Sequence, residues 1–172
     1  MSLLISDEDF MRVALEAARV AGEQGEIPVG ACLVQDNQII TTAFNNPIFS
    51  NDPTAHAEIN VMRQAAEKLN NYRLANTTLY VTLEPCMMCA GALIQARVNR
   101  LVFGASEPKS GVIQSCESVF NKSILSETHV SESNLNSQRK VFNHYIECIG
   151  GVLKEECQKI IQDWFKKKRK QL

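Results

Sequence analysis

Two short motifs restrict this chain of 172 residues more than any other feature: His56-Ala57-Glu58, opening an apolar-periodic stretch, and Pro85-Cys86-Met87-Met88-Cys89, directly after a β-branched run. Ile59, Met62, Ala66 and Leu69 recur at helical intervals behind the first motif, which predicts a helix over 57–69. Residues 78–83 read as a strand that Pro85 ends, and 86–96, apolar almost all round, as a buried or interface helix. Two cysteines three apart on a first helical turn face the same way. The helix N-terminus favours their thiolates, so the pair suits a soft divalent metal, zinc above all. His56 offers a third ligand, and a Cys₂His set leaves one tetrahedral position for water, which is the catalytic arrangement. Two thiolates balance the charge of one Zn²⁺ per chain, and Glu58, two residues from His56, can lean over that water as a proton shuttle.

Each motif alone has a plainer reading. A histidine beside an apolar helix is commonly a hydrogen-bonded core residue, and CxxC alone also fits a redox pair or a structural zinc site. A structural site needs a fourth ligand, for which Cys116, His144 and Cys148 are candidates. Of the remaining cysteines, Cys32 lies in the apolar stretch VGACLV and reads as core, while Cys116, Cys148 and Cys157 have no motif around them.

The rest of the chain alternates helix and strand, which favours an α/β fold with helices layered on a central sheet. Phe10, Val13, Ala14, Ala17 and Ala21 behind Ser6, with Gly25 closing, predict a helix over 7–24. Residues 29–34 and 38–44 flank Asp36-Asn37 as a hairpin, and a loop with Asn45, Asn46, Pro47, Asp52 and Pro53 follows. A short strand is expected over 101–103, a last strand over 145–149 and a last amphipathic helix over 153–165. The Ser- and Asn-rich stretch 115–143 has no clean period and reads as a surface excursion of one domain spanning 1–172, with no internal repeat. No apolar run approaches the roughly 20 residues of a membrane span, and the start turns acidic before any signal-peptide core, so a cytoplasmic protein without membrane association is expected.

The net charge of −1 conceals an asymmetry. Lys166, Lys167, Lys168, Arg169 and Lys170 are consecutive, and without them 13 cations face 19 acids. An acidic body with a basic tail fits a polyanionic partner at one end, or a solvated helix terminus whose cations suit the helix dipole.

The combined pattern H-x-E then P-C-x-x-C is a known signature of zinc nucleobase deaminases, matched here rather than derived. The strings EIPVGA, NDPTAHAEI, NYRL, LYVTLEPCMMCAGALI and RLVFGA, with the Lys and Gly of PKSG, carry it further. Over 10–111 and again from Asn143 onward the chain resembles the bacterial tRNA-specific adenosine deaminases. The resemblance implies a three-layer cytidine deaminase-like fold, a central five-stranded mixed sheet with helices on both faces, and a homodimer in which part of the helix 86–96, with Met87, Met88, Ala92, Leu93 and Ile94, meets the second copy. It implies zinc on His56, Cys86 and Cys89, with Glu58 as general acid/base. Asn45 would hydrogen-bond the nucleoside, Val29 would wall the base pocket, and the backbone at Ala57 and Leu83 would line the reacting centre. The implied reaction is hydrolysis of the wobble adenosine of a tRNA anticodon stem-loop to inosine. Glu107, Lys109 and the cations 166–170 are the expected RNA contacts. Where the family usually has Asp after Phe-Gly-Ala, this chain has Glu107, and a segment of about 116–142 replaces a usually compact one. Two other readings stay open: a deaminase of free guanine or cytosine on the same scaffold, and a zinc-stabilised RNA-binding subunit without chemistry, which has no evident use for Glu58.

Overall fold

The structure, a computed structural model, describes residues 5–113 and 144–170; the expected insertion at 116–142 lies outside them, as does Cys116. Helix α1 (Asp7–Glu23) starts with a capping box: the Ser6 hydroxyl accepts from the Asp9 amide, and the Asp9 carboxylate accepts from the Ser6 amide at 2.9 Å. The hairpin of β1 (Gly30–Gln35) and β2 (Gln38–Phe44) turns through Asp36 and Asn37 at φ 50° and 58°. Positive φ at both centres gives the turn a twist that matches the strands it joins. The loop expected after β2 contains a one-turn helix, α2 (Pro47–Ser50), because proline supplies a preset φ at its first position. Then follow α3 (Ala57–Leu69), β3 (Thr77–Leu83), α4 (Met87–Ala96), β4 (Arg100–Ala105), β5 (Glu147–Gly150) and α5 (Lys154–Arg169). The last strand sits later than the expected 145–149, and α5 continues past Phe165, so the basic run is mostly the last turn of a helix.

The sheet order is β2-β1-β3-β4-β5, antiparallel from β2 to β3 and parallel from β3 to β5. Register and the two-residue alternation of strands sort the core into two layers. Leu33, Leu79 and Leu101 align across β1, β3 and β4, as do Ala31, Val81 and Phe103, and these rows pack with Val61, Ala65, Leu93 and Ile94 of α3 and α4. Cys32, Tyr80 and Val102 point to the other face, against Phe10, Met11 and Ala14 of α1 and Cys157 of α5. Of the helix 86–96, expected in part at a subunit interface, Leu93 and Ile94 are buried in the chain's own core with Leu79, Val81 and Phe103, whereas Met87 and Met88 at its start are exposed. Among the described residues no helix is long and apolar enough to cross a membrane.

Candidate active site

Antiparallel β1 and parallel β3 bring the start of β1, the end of β2, the end of β3 and the first turns of α3 and α4 to one end of the sheet. His56 is the extended residue that caps α3, Cys86 plays the same part for α4, and Cys89 follows on the first turn of α4. The His56 Nδ1 atom lies 3.5 Å from Cys89 Sγ and 3.7 Å from Cys86 Sγ. Sulfur at about 2.3 Å and nitrogen at about 2.0–2.1 Å from one tetrahedral zinc are about 3.6 Å apart, so the donor set fits that ion. The ligand atoms all lie within 4.8 Å of one another. His144 and Cys148 are engaged elsewhere, His144 Nε2 at 2.7 Å from the Val98 carbonyl and the Cys148 thiol at 3.6 Å from that of Ile146, and neither joins the group.

The electrostatics match a cation-binding centre. The Cys89 thiol, then His56, hold Cys86 well below the usual thiol range, while the bond to Cys86, followed by burial, raises Cys89. The hydrogen bond to Cys86 raises His56. A divalent ion would displace the protons and take these three side chains as its ligands. Glu58, on the first turn of α3, is 4% exposed, and burial raises its carboxyl above the ordinary range, countered in part by its backbone hydrogen bond and by His56. A buried carboxyl beside the three donors is placed to exchange protons with a group bound there.

The other expected residues lie as follows. Val29 and Asn45, both 7% exposed, are joined by the Asn45 amide, which donates to the Val29 carbonyl at 2.9 Å. Ala57 is fully buried beside His56, and Leu83 ends β3. Glu107 and Lys109 lie on the loop after β4, where the Glu107 carboxylate accepts from the Lys109 amide at 2.9 Å. The last cations are exposed, and the helix carrying them is tethered to α1: Trp164 packs at Gly22, where an added Cβ would stand 3.5 Å from the indole and 3.4 Å from Pro28.

Two glutamates escaped the reading of the sequence. Glu84, 3% exposed, accepts from the Glu107 and Ile113 amides, both at 3.0 Å, and fastens the 107–113 loop over Pro85-Cys86. Gly111 is required there, since a Cβ would fall 2.5 Å from the Glu84 carboxyl carbon. Glu26, 1% exposed, accepts from the Phe49 amide at 2.8 Å. A glutamate beside the cysteine motif, and another before Ile-Pro-Val-Gly, were the available signals.

Comparison with known proteins agrees with this geometry. The profile of MafB19-like deaminases matches residues 5–169. The chain is 46% identical over 166 residues to the tRNA-specific adenosine deaminase of Haemophilus influenzae, covering 96% of this chain and 86% of that one. It is 39% identical over 167 residues to the Bacillus subtilis protein of the same description, at 97% and 93% coverage. A solved structure from work on A-to-I editing by tRNA:A34 deaminases superposes with a TM-score of 0.75 at 40% identity, covering 88% of this chain and 97% of that one. A guanine deaminase from Bacillus subtilis superposes over 59% of this chain and 65% of its own, with a TM-score of 0.56. A chain that shares close to half its residues with one such enzyme, over most of the length of both, belongs to the tRNA-specific adenosine deaminase family.

Proposed function

We propose that this protein hydrolyses adenosine to inosine at the wobble position of a tRNA anticodon, with one zinc ion held by His56, Cys86 and Cys89. The observation that carries the reading is the spacing of those three donors at zinc-spanning distances beside a buried Glu58. When bound, zinc supplies a Lewis acid that makes water a nucleophile near neutral pH. The chain's residues do the rest. Glu58 takes a proton from the attacking water and passes it to the purine ring nitrogen, then takes the proton of the new C6 hydroxyl and delivers it to the amino group as the C6–N bond breaks; one water enters, and ammonia and inosine leave. Asn45 orients the nucleoside by hydrogen bonding, Val29 walls the base, and the backbone at Ala57 and Leu83 borders the reacting carbon. A single-stranded loop base can be splayed into such a site, and the cations at 166–170, with Glu107 and Lys109, are proposed to meet the surrounding RNA. Exposed Met87 and Met88 are the part of α4 left for a second copy of the chain, and a homodimer working in the cytoplasm completes the reading.

The test offers purified protein an anticodon stem-loop bearing the wobble adenosine and, in parallel, free guanine and cytosine, with metal analysis of the same sample. Inosine and ammonia from the stem-loop, with one zinc per chain, are expected. Turnover of a free base alone, or a fourth protein ligand on the metal, overturns the proposal.

A further inference from the structure

A buried carboxylate is costly unless both oxygens are satisfied, and each exception asks for a reason. Glu84 meets the condition with two backbone amides. Glu26 does not: Oε1 accepts from the Phe49 amide, while Oε2 is buried without a hydrogen-bond partner among the described residues. A group so placed is a poor device for stability. Its one bond, however, lands on α2, the turn that begins two residues after Asn45.

The residues that lead into that turn, Phe44 to Asn46, are held separately. From α3, the Asn60 side-chain amide donates to the Asn46 side-chain oxygen at 2.8 Å and to the Phe44 carbonyl at 2.9 Å, and the Asn46 amide donates to Ala55 just before His56. Among the described residues, the only side-chain hydrogen bond to the backbone of α2 itself is that of Glu26. Phe49 and Ile48 are 79% and 70% exposed, so their side chains contribute little burial to hold the turn down. Glu26 itself is fixed by its amide bond to the Ala21 carbonyl, and three residues later comes Val29, whose carbonyl receives the Asn45 amide. Glu26 therefore closes a ring of contacts around the segment 45–49 from behind.

We propose that Glu26 is a positioning residue of the deaminase: its carboxylate pins α2 so that Asn45 and Val29 present a fixed wall to the nucleoside. This rests on the proposed function, for which Asn45 and Val29 are substrate contacts. Glu26 acts through them and does not touch the reacting atoms.

The test compares Glu26→Met, which fills a similar volume without an acceptor, and Glu26→Gln, which keeps an oxygen for the Phe49 amide. A merely structural carboxylate would make the methionine variant neutral or more stable with unchanged kinetics. Positioning predicts that Glu26→Met, normalised to bound zinc, raises KM for the stem-loop about tenfold or more, the scale of a lost hydrogen bond to a charged group, with kcat little altered. Glu26→Gln should return KM toward that of the parent, and the Phe49 amide of the free protein should exchange faster in Glu26→Met alone. An unchanged KM in Glu26→Met, a glutamine variant no better than methionine, or unchanged exchange at Phe49 overturns the proposal. A parent protein inactive on the stem-loop, with the exchange pattern as expected, would instead remove the proposed reaction and leave the pinning of α2 established.

Discussion

At the end of the sheet where β1 begins and β3 ends, Glu26, Glu58 and Glu84 are all buried to 4% exposure or less, beside His56, Cys86 and Cys89. At the opposite end the polar contact is of another kind. Arg100, at the start of β4, donates to both carboxylate oxygens of Asp7 at 2.7 and 2.8 Å, and Tyr80 donates to the same carboxylate. Of those partners Tyr80 is buried, while the Arg100 and Asp7 side chains are 25% and 33% exposed, and the three satisfy one another. The first end holds loops in place through carboxylates that accept from backbone amides, so the site depends on chain segments far apart in sequence. The second end ties α1 to the sheet with a fork of side chains that solvent partly screens. Costly burial sits where chemistry needs a defined geometry, and inexpensive pairing sits where only attachment is needed.

The contrast can be broken most sharply at Glu58. Glu58→Gln should retain fold and zinc but lose about 10²- to 10⁴-fold in turnover, the contribution of a positioned acid/base. Asp7→Asn should leave turnover per folded molecule unchanged. Near-parental turnover in Glu58→Gln, measured by ammonia release, would remove the shuttle role, and loss of zinc would make Glu58 a ligand.

Gly111→Ala comes next. Its Cβ would crowd both Glu84 and the Glu107 carbonyl, each at 2.5 Å, and overpacking of this kind costs about 1–3 kcal/mol. Denaturant unfolding should show that loss, and metal competition should show weaker zinc binding. A fully stable variant with parental zinc affinity would mean that the 107–113 loop yields without disturbing Cys86.

Removing the chain after Phe165 tests whether the tethered cations belong to the catalytic end. Each phosphate contact contributes about 0.7 to the slope of log affinity against log salt, and about 1 to 3 in total is expected here because some cations stay solvated. Truncation should weaken stem-loop binding and flatten that slope, with turnover unaltered at saturating RNA. An unchanged slope would make the tail a solvated helix end.

The smallest effect is expected at Asp7. Hydrogen bonding to Arg100, opposed by partial burial, holds its carboxyl below the ordinary range. A group lowered on folding stabilises the native state fully above its unfolded pKa, about 4, and loses that contribution as the pH falls through the lowered value. After discounting for solvent, about 1 kcal/mol is at stake. Unfolding midpoints followed from pH 6 down to about 3 should fall less steeply in Asp7→Asn than in the parent. Parallel curves would show that the fork contributes nothing to the attachment of α1.

Much of this was legible before any coordinates. The helix at 57–69 falls where periodicity put it, and the strand at 38–44 where its apolar run after the Asp36-Asn37 turn put it, since local sequence suffices for both. His56, Cys86 and Cys89 stand together as expected, because metal ligation leaves a spacing that survives as a motif. The one-turn α2 was missed, since four residues are too few to show a period. Which part of the helix 86–96 would be buried in the chain itself was not legible, because a helix apolar all round does not say which apolar neighbour it meets; Leu93 and Ile94 face the core, and Met87 and Met88 stay exposed.

What the amino-acid sequence determined by itself was chemistry and local form: two thiolates, an imidazole and a carboxylate in the order a metal-assisted hydrolysis requires, and the strands and helices that would carry them. What only the tertiary structure decided was which distant backbone groups those carboxylates would serve. Glu26 reaches Phe49 and Glu84 reaches Glu107 and Ile113 because the sheet brings their loops to one end. A glutamate has no periodic signature for such a task. Its partner is a backbone amide, which every residue but proline carries, so nothing in the side chains around Phe49 or Ile113 marks them as the other half of the contact.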